Sequence, residues 1–214
     1  MTESKAQIRK FIQKYYTSEY PELTDALADI AIFREYTAGD PVFSPGDEMN
    51  EIRVLYSGGV KSVWHPSEEY KPLVMWLVYM PGVPMMPIQF DGASQRTFST
   101  SVIPTVNSSF ICFPYDKVLD LVADHSILLR IFITMQQNRI SFHAKHSLLL
   151  RQFNNNLEGL YDYCTRHHPM LLANSSIEDL ASWLGVSMYH LSRVRNKWKR
   201  ENPEAYEELC KYKV

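Results

Sequence analysis

Apolar positions recur with a helical period at both ends of the chain and with a shorter, broken rhythm between them. Ile8, Phe11, Ile12 and Tyr15 make one stripe, so residues 5 to 30 are predicted helical, interrupted at Pro21. From residue 31 to about 115, β-branched and aromatic runs alternate with Gly, Pro and Asp, as in "PVFSPGDE" and "IRVLYSGGVKSVWHPSEE". That rhythm predicts short strands of a sandwich or barrel. Residues 116 to 154 contain neither Gly nor Pro and predict a single long helix. Along it Leu128, Ile131, Met135, Asn138, Phe142, Lys145 and Leu149 follow spacings of three and four. This is the pattern of a coiled-coil seam between two chains; the same stripe packed on the protein's own β region is the alternative. "NNNLEG" breaks the pattern, and a further helix is predicted around "LEGLYDYCTRHH".

The stretch "SIEDLASWLGVSMYHLSRVRNKWKR", residues 176 to 200, holds two more apolar-periodic runs. Ser176 caps the first, with Asp179 as a short capping-box partner, and Ile177, Leu180, Ala181 and Leu184 form its buried stripe. Gly185 supplies the left-handed stop, and Ser187 caps a second helix from Met188 to about Arg200. Two helices joined by a tight glycine turn match a helix-turn-helix. On the second helix Leu191, Val194 and Trp198 face the first, while Tyr189, Arg193, Asn196 and Arg200 line the opposite side. Arg and Asn can pair with guanine and adenine edges in a major groove. Ser176, Ser187, Lys197, Lys199 and Arg200 are placed for phosphates, which fix register without reading sequence. A surface helix with a solvated cationic face is the alternative.

Composition narrows the field. The chain has 214 residues, a formal net charge of -2, 45% hydrophobic and 21% charged residues. Any affinity for nucleic acid must therefore be local to a basic face. Three scattered cysteines, Cys112, Cys164 and Cys210, argue against a disulfide framework and predict a cytoplasmic protein. "MTESKAQIRKF" lacks the apolar core of a secretion signal, and "LVMWLVYM" is too short to span a bilayer. Enzyme chemistry is not expected. The β region holds one histidine, His65, and no nucleophile elbow or phosphate loop appears. His143 with His146, and Cys164 with His167 and His168, have spacings seen in metal sites, but solvated helix histidines are the commoner outcome and no metal is expected.

The order of elements, and two motifs within it, resemble the cyclic-AMP receptor protein / FNR (Crp/Fnr) superfamily of transcription regulators. "SPGDEMNEIRVLYSGGVKSV" is similar to that family's second and third strands, with Gly46 and Gly58 twelve residues apart. "SIEDLASWLGVSMYHLSRVRN" is similar to its DNA-binding helices, with Gly185, Ser187 and Arg193 in matching places. The resemblance implies an α+β fold: a cyclic-nucleotide-binding-like β-roll (double-stranded β-helix), a long dimerisation helix and a C-terminal helix-turn-helix. Expected units are 1–115, 116–154 and 155–214. It further implies a homodimer on a palindromic double-stranded operator, with RNA polymerase as a further candidate partner. Met188 stands where relatives often carry a base-contacting Arg, so Met188, Tyr189, Arg193 and Asn196 are the base-contact candidates.

The resemblance also locates an effector pocket, around "MPGVPMMPIQFDGASQRTFSTS". Arg96-Thr97 resembles the half that holds a cyclic phosphate, although an Arg96 pair with Asp91 would serve structure alone. Where relatives carry the ribose-binding Gly-Glu pair this chain has Met86-Pro87, so cyclic nucleotides are not expected. An iron–sulfur cluster is not expected either, since no cysteine precedes Cys112. Trp76, Met85, Met86, Arg96 and Thr97 are the candidate pocket residues, with burial in the core as the alternative for the apolar ones. After Arg200, "ENPEAYEELCKYKV" predicts a short helix where relatives have a two-stranded wing. A degenerate member that senses a small molecule or binds a protein without reading DNA is thus the alternative function.

Overall fold

The computed structural model describes residues 5–48, 50–66, 69–85 and 100–213. Helix α1 (Lys5–Ile12) continues through a π-helical turn, Gln13–Thr17, and is followed by α2 (Pro21–Ile30). Pro21 sits in the first turn of α2, where a helix has no use for the missing N–H. Ile8, Phe11, Ile12, Leu23 and Leu27 bury against Ile52, Val54, Ile111 and Phe113 of the strands that follow.

Among the described residues, seven strands form two antiparallel sheets. Strands β1 (Ile32–Tyr36), β2 (Glu51–Ser57), β5 (Pro84–Met85) and β7 (Ser108–Pro114) pair in the order β1-β7-β2-β5, and β3 (Val60–Trp64), β4 (Leu73–Val78) and β6 (Thr100–Pro104) in the order β4-β3-β6. Side chains of both sheets meet inside a roll, among them Leu55, Val60, Trp76, Met85 and Phe110. The chain passes from one sheet to the other at Gly58, which has φ +95°. A Cβ there would lie 2.3 Å from Ser108 Oγ and 2.7 Å from the Asn107 carbonyl oxygen, so the crossing demands glycine. Gly46, also at positive φ, faces open space.

The single helix expected over 116–154 is two helices, α3 (Tyr115–Asp124) and α4 (Ile127–Gln152). His125 leaves the helical region at φ -131°, and its N–H closes back on the Leu121 carbonyl at 2.8 Å. No Gly or Pro marks this break; it is imposed by packing, because α3 must seat Val118 on the roll before α4 departs. Asn156 ends the gap after α4 by accepting from the Gly159 N–H at 3.0 Å and capping α5 (Leu157–His167). A short helix absent from the sequence reading, α6 (Pro169–Asn174), follows, and then α7 (Ile177–Leu184), α8 (Met188–Glu201) and α9 (Pro203–Cys210).

These last helices and the outer face of the β4-β3-β6 sheet share one core. Val63, Val74, Leu77 and Tyr79 of the roll pack with Leu180, Trp183 and their neighbours in the helical unit. Polar bonds cross the same boundary. Lys61 Nζ donates to Asp179 Oδ1 at 2.7 Å, the Val74 N–H to Ser182 Oγ at 2.9 Å, and the Tyr79 hydroxyl to the Asn174 carbonyl at 2.9 Å. Asp179, read from sequence as a capping-box partner, is therefore buried against the roll and paired with Lys61; its own N–H, not its carboxylate, completes the Ser176 cap at 3.0 Å.

Candidate nucleic-acid interface and effector cavity

Local sequence builds the helix-turn-helix. Gly185 adopts φ +67°, and the Gly185 and Val186 N–H groups return to the carbonyls of Ser182 (3.2 Å) and Ala181 (3.0 Å). This closure satisfies the free carbonyls at the end of α7. Ser187 Oγ accepts from the His190 N–H at 3.2 Å and starts α8 at once. Leu191, Val194 and Trp198 are buried at 0%, 4% and 8% exposure and fix which side of α8 turns outward.

That outward side carries the residues named from sequence. Tyr189 is 79% and Met188 53% exposed, and Arg193, Asn196, Lys199 and Arg200 are exposed beside them. Their accessibility is what a groove-reading face requires. Ser176 and Ser187 are also exposed; each hydroxyl oxygen accepts a cap bond while its O–H remains a donor. Lys197 differs. Its ammonium donates to both oxygens of Glu158 at 2.8 and 2.9 Å, which raises its pKa, so a phosphate must compete with a carboxylate on the same molecule. Lys199 Nζ lies 4.2 Å from the centre of the Tyr206 ring of α9. Among the described residues no strand follows β7, and α9 occupies the position after α8.

The stripe read as a dimer seam needs correction. Leu128 is 2% exposed and belongs to the core beneath α1 and α2, and Ile131 packs on that core. Met135, Asn138 and Phe142 line a cavity, and Leu149 packs against the helix-turn-helix core. The two ends of this face thus serve the protein's own body, while Asn138, Phe142 and Lys145 at its middle remain exposed. The exposed apolar row runs elsewhere: Leu129 (51%), Ile133 (57%), Ile140 (62%) and Leu148 (61%). Leu129, Ile133 and Ile140 fall within about 40° of one another around the helix, with Leu148 further round.

The cavity measures about 700 Å³ and lies between α4, the segment after α1, β4 and the start of α6. Tyr16, Trp76, Met135 and Phe142 give it apolar walls. The Tyr16 hydroxyl donates to the Gly82 carbonyl at 2.5 Å and is held neutral by burial, which pushes its pKa up. Gly82, at φ +85°, lies under the Tyr15 ring, where a Cβ would come within 2.4 Å. Polar groups gather around one tryptophan. The Arg139 guanidinium carbon sits 5.1 Å from the Trp76 ring centre, and the His143 ring stands edge-on to it at 6.5 Å. Burial lowers the pKa of Arg139 to about 10, and burial together with the Arg139 charge lowers that of His143. Below them His146 stacks on Trp183 at 4.3 Å and points Nε2 at the Trp183 carbonyl, 3.1 Å away. No group of three or more His, Cys, Asp or Glu residues among the described ones converges as a metal site.

No family model and no curated protein matches the chain. Solved structures do. FixK2 from Bradyrhizobium japonicum superposes with a TM-score of 0.65 at 13% identity, over 81% of this chain and 86% of that one. The c-di-GMP responsive global regulator CLP of Xanthomonas campestris gives 0.59 at 15% identity, over 83% and 91%. CprK complexed with OCPA gives 0.57 at 14% identity, over 85% and 84%. The chain shares the fold of these proteins, the fold that the resemblance noted in its sequence implies. No described helix is long and apolar enough to cross a membrane.

Within this fold the candidate pocket residues separate. Arg96, Thr97 and Met86 lie outside the described residues. Met85 is fully buried in the roll core, a correction to its place among pocket residues, because β5 pairs with β2 and turns that side chain inward. Trp76 is both core and cavity wall. Sequence reasoning missed Arg139 and Tyr16. The available signal was the i, i+4 spacing of Arg139 and His143 on α4, which puts both on one face.

Proposed function

We propose that this protein is a homodimeric, sequence-specific DNA-binding transcription regulator of the Crp/Fnr type that does not respond to cyclic nucleotides. One observation carries the reading: α7, Gly185 and α8 form a closed helix-turn-helix whose outer side exposes Tyr189, Arg193 and Asn196 beside Lys199 and Arg200. In this reading α8 lies in the major groove, with Met188, Tyr189, Arg193 and Asn196 at base edges. Ser176, Ser187, Lys197, Lys199 and Arg200 hold phosphates. Two copies related by a dyad present their α8 helices roughly 34 Å apart to a palindromic operator. The row Leu129, Ile133, Ile140 and Leu148 is the face by which α4 meets its mate, since it is apolar and exposed. The roll with its preceding helices, the α3–α4 region and the helices from residue 155 onward act as sensor, connector and reader. Three free cysteines suit a reducing cytoplasm.

Mobility shift on DNA upstream of the protein's own gene, across salt concentrations, tests the proposal: tight binding with a steep salt slope is expected. Arg193→Ala is expected to cost about 1–3 kcal/mol on the specific site and to relax one base position, while Lys199→Ala weakens all sequences alike. Equal losses on specific and random DNA for both variants would refute the division of roles.

A second reading is favoured by α9, which follows α8 where relatives with a wing add strands, and by the Lys197–Glu158 pair. In it the chain senses a small molecule or engages a protein and leaves DNA alone. Weak binding without sequence preference would favour that reading.

A further inference from the structure

We propose that the cavity beside α4 binds an organic carboxylate with an apolar body, a medium-chain or fused-ring aryl acid, whose carboxylate seats between Arg139 and His143 at the edge of Trp76. This deepens the effector reading by naming what the cavity takes, and it stands or falls without DNA.

The cavity has the size and the largely apolar wall of a small-molecule site. Its charge is one-sided. Among the described lining residues Arg130 and Arg139 are cationic, against the carboxylate of Glu19. A cationic ligand is therefore repelled, and an anion is drawn in. Arg139 and His143 converge on the same ring, at 5.1 Å and 6.5 Å from its centre, so a single small anionic group can reach both. A guanidinium fork matches a carboxylate in two parallel hydrogen bonds. Burial of the guanidinium, already evident in its lowered pKa, strengthens such a bond by lowering the local dielectric. A nucleotide fits poorly, because Met135, Phe142 and Tyr16 offer apolar surface where a ribose and further phosphate oxygens would need donors. Met135 and Phe142 supply the apolar body with flexible and flat contacts.

Occupancy has a route to the reader. Met170 and Leu171 of α6 complete the same cavity, and α6 ends at Asn174, whose carbonyl accepts from Tyr79 of the roll. A ligand body pressed on α6 bears on the joint that orients α7 and α8.

The test uses the full chain without DNA, following tryptophan emission on titration with decanoate and naphthalene-2-carboxylate, each beside its neutral amide. At least one carboxylate is expected to bind saturably, and about tenfold more tightly than its amide, equivalent to about 1.4 kcal/mol. Arg139→Gln is expected to erase that preference. Should Arg139→Gln fail to fold by circular dichroism, Met135→Trp, which fills the cavity from the exposed helix, is expected to abolish binding of acid and amide alike. No saturation by either acid up to about 1 mM, equal affinity for acid and amide, or acid binding unchanged in the variants overturns the proposal. Carboxylate binding by a chain that ignores DNA would sustain this inference and sink the proposed function; DNA binding without carboxylate binding would do the reverse.

Discussion

At the residue scale, Gly185 and Gly58 show how one amino acid meets two demands of different severity. Gly185 needs only its left-handed φ, for nothing lies within 4 Å of where a Cβ would stand. Gly185→Ala is therefore expected to cost about 1–2 kcal/mol, the ordinary penalty of the left-handed region, measured by urea unfolding. Gly58 needs its positive φ and also the space that Ser108 and the Asn107 carbonyl leave. Gly58→Ala is expected to lose more, because backbone and not a flexible side-chain end stands in the way. Both glycines were legible in the sequence from their spacing to hydrophobic runs. The difference between them was not, since Asn107 and Ser108 come into contact with Gly58 only when β7 closes beside β2.

Lys197 teaches the same lesson about charge. Its place on the polar edge of α8 follows from periodicity, but its partner Glu158 sits 39 residues earlier, on α5. Glu158→Gln frees the ammonium for phosphate, so DNA affinity is expected to rise by roughly threefold at low salt, with a salt slope steeper by about one counterion. Unchanged affinity in fluorescence anisotropy would show that Lys197 points away from the duplex.

At the scale of elements, the junction of α4, α6 and α7 depends on histidines. His143, His146 and His168 all have lowered pKa values, with burial as the leading cause in each. Facing them are Arg139, the neighbouring His167 and the Trp183 carbonyl, which partly favours charge on His146. Because the folded values lie below the unfolded one, the unfolded chain binds more protons between them. Stability from this junction is therefore fully present above about pH 6.5 and lost as pH falls through that value toward the folded pKa values. Asp29 and Glu51, whose pKa values are lowered chiefly by bonds to Lys5 and to Arg34 and Arg53 (against desolvation at Glu51), act in a separate, more acidic window. Denaturation curves between pH 7.5 and 5 are expected to shift to lower midpoints, with a flatter dependence in His146→Gln. An equal slope in that variant would remove His146 from the account.

The long helix is the element where sequence pattern and structure part. Spacings of three and four picked the row from Leu128 to Leu149, because a heptad is the commonest apolar pattern on a helix. A periodic row says that a face is buried and leaves open what buries it. The roll and the C-terminal helices bury its ends at Leu128, Ile131 and Leu149, and a second apolar row, Leu129, Ile133, Ile140 and Leu148, stands outside. On the proposed dimer, Ile140→Glu is expected to give a monomer in sedimentation velocity with little change in unfolding midpoint of the subunit. Retention of the dimer would send the search for the mate's contact back to the cavity side of α4.

At the scale of the whole molecule, the joint between the roll and the C-terminal helices makes them one body. Lys61–Asp179, Val74–Ser182 and Tyr79–Asn174 tie two units that the sequence lists far apart, and a shared apolar core backs them. Such a joint fixes the orientation of the C-terminal helices relative to the roll, so Lys61→Ala is expected to lower the urea midpoint of the whole chain rather than of one unit.

Sequence by itself determined what depends on neighbours a few residues away. The caps Ser176 and Ser187, the stop at Gly185, the outward row of α8 and the strand-and-turn rhythm of the roll all rest on local hydrogen bonds and periodicity. The tertiary structure alone decided the break at His125, the partner of Asp179, the burial of Met85, the side of α4 left open and the meeting of Arg139 with Trp76. Each of these needs two segments far apart in the chain to approach, and a linear pattern carries no measure of that distance.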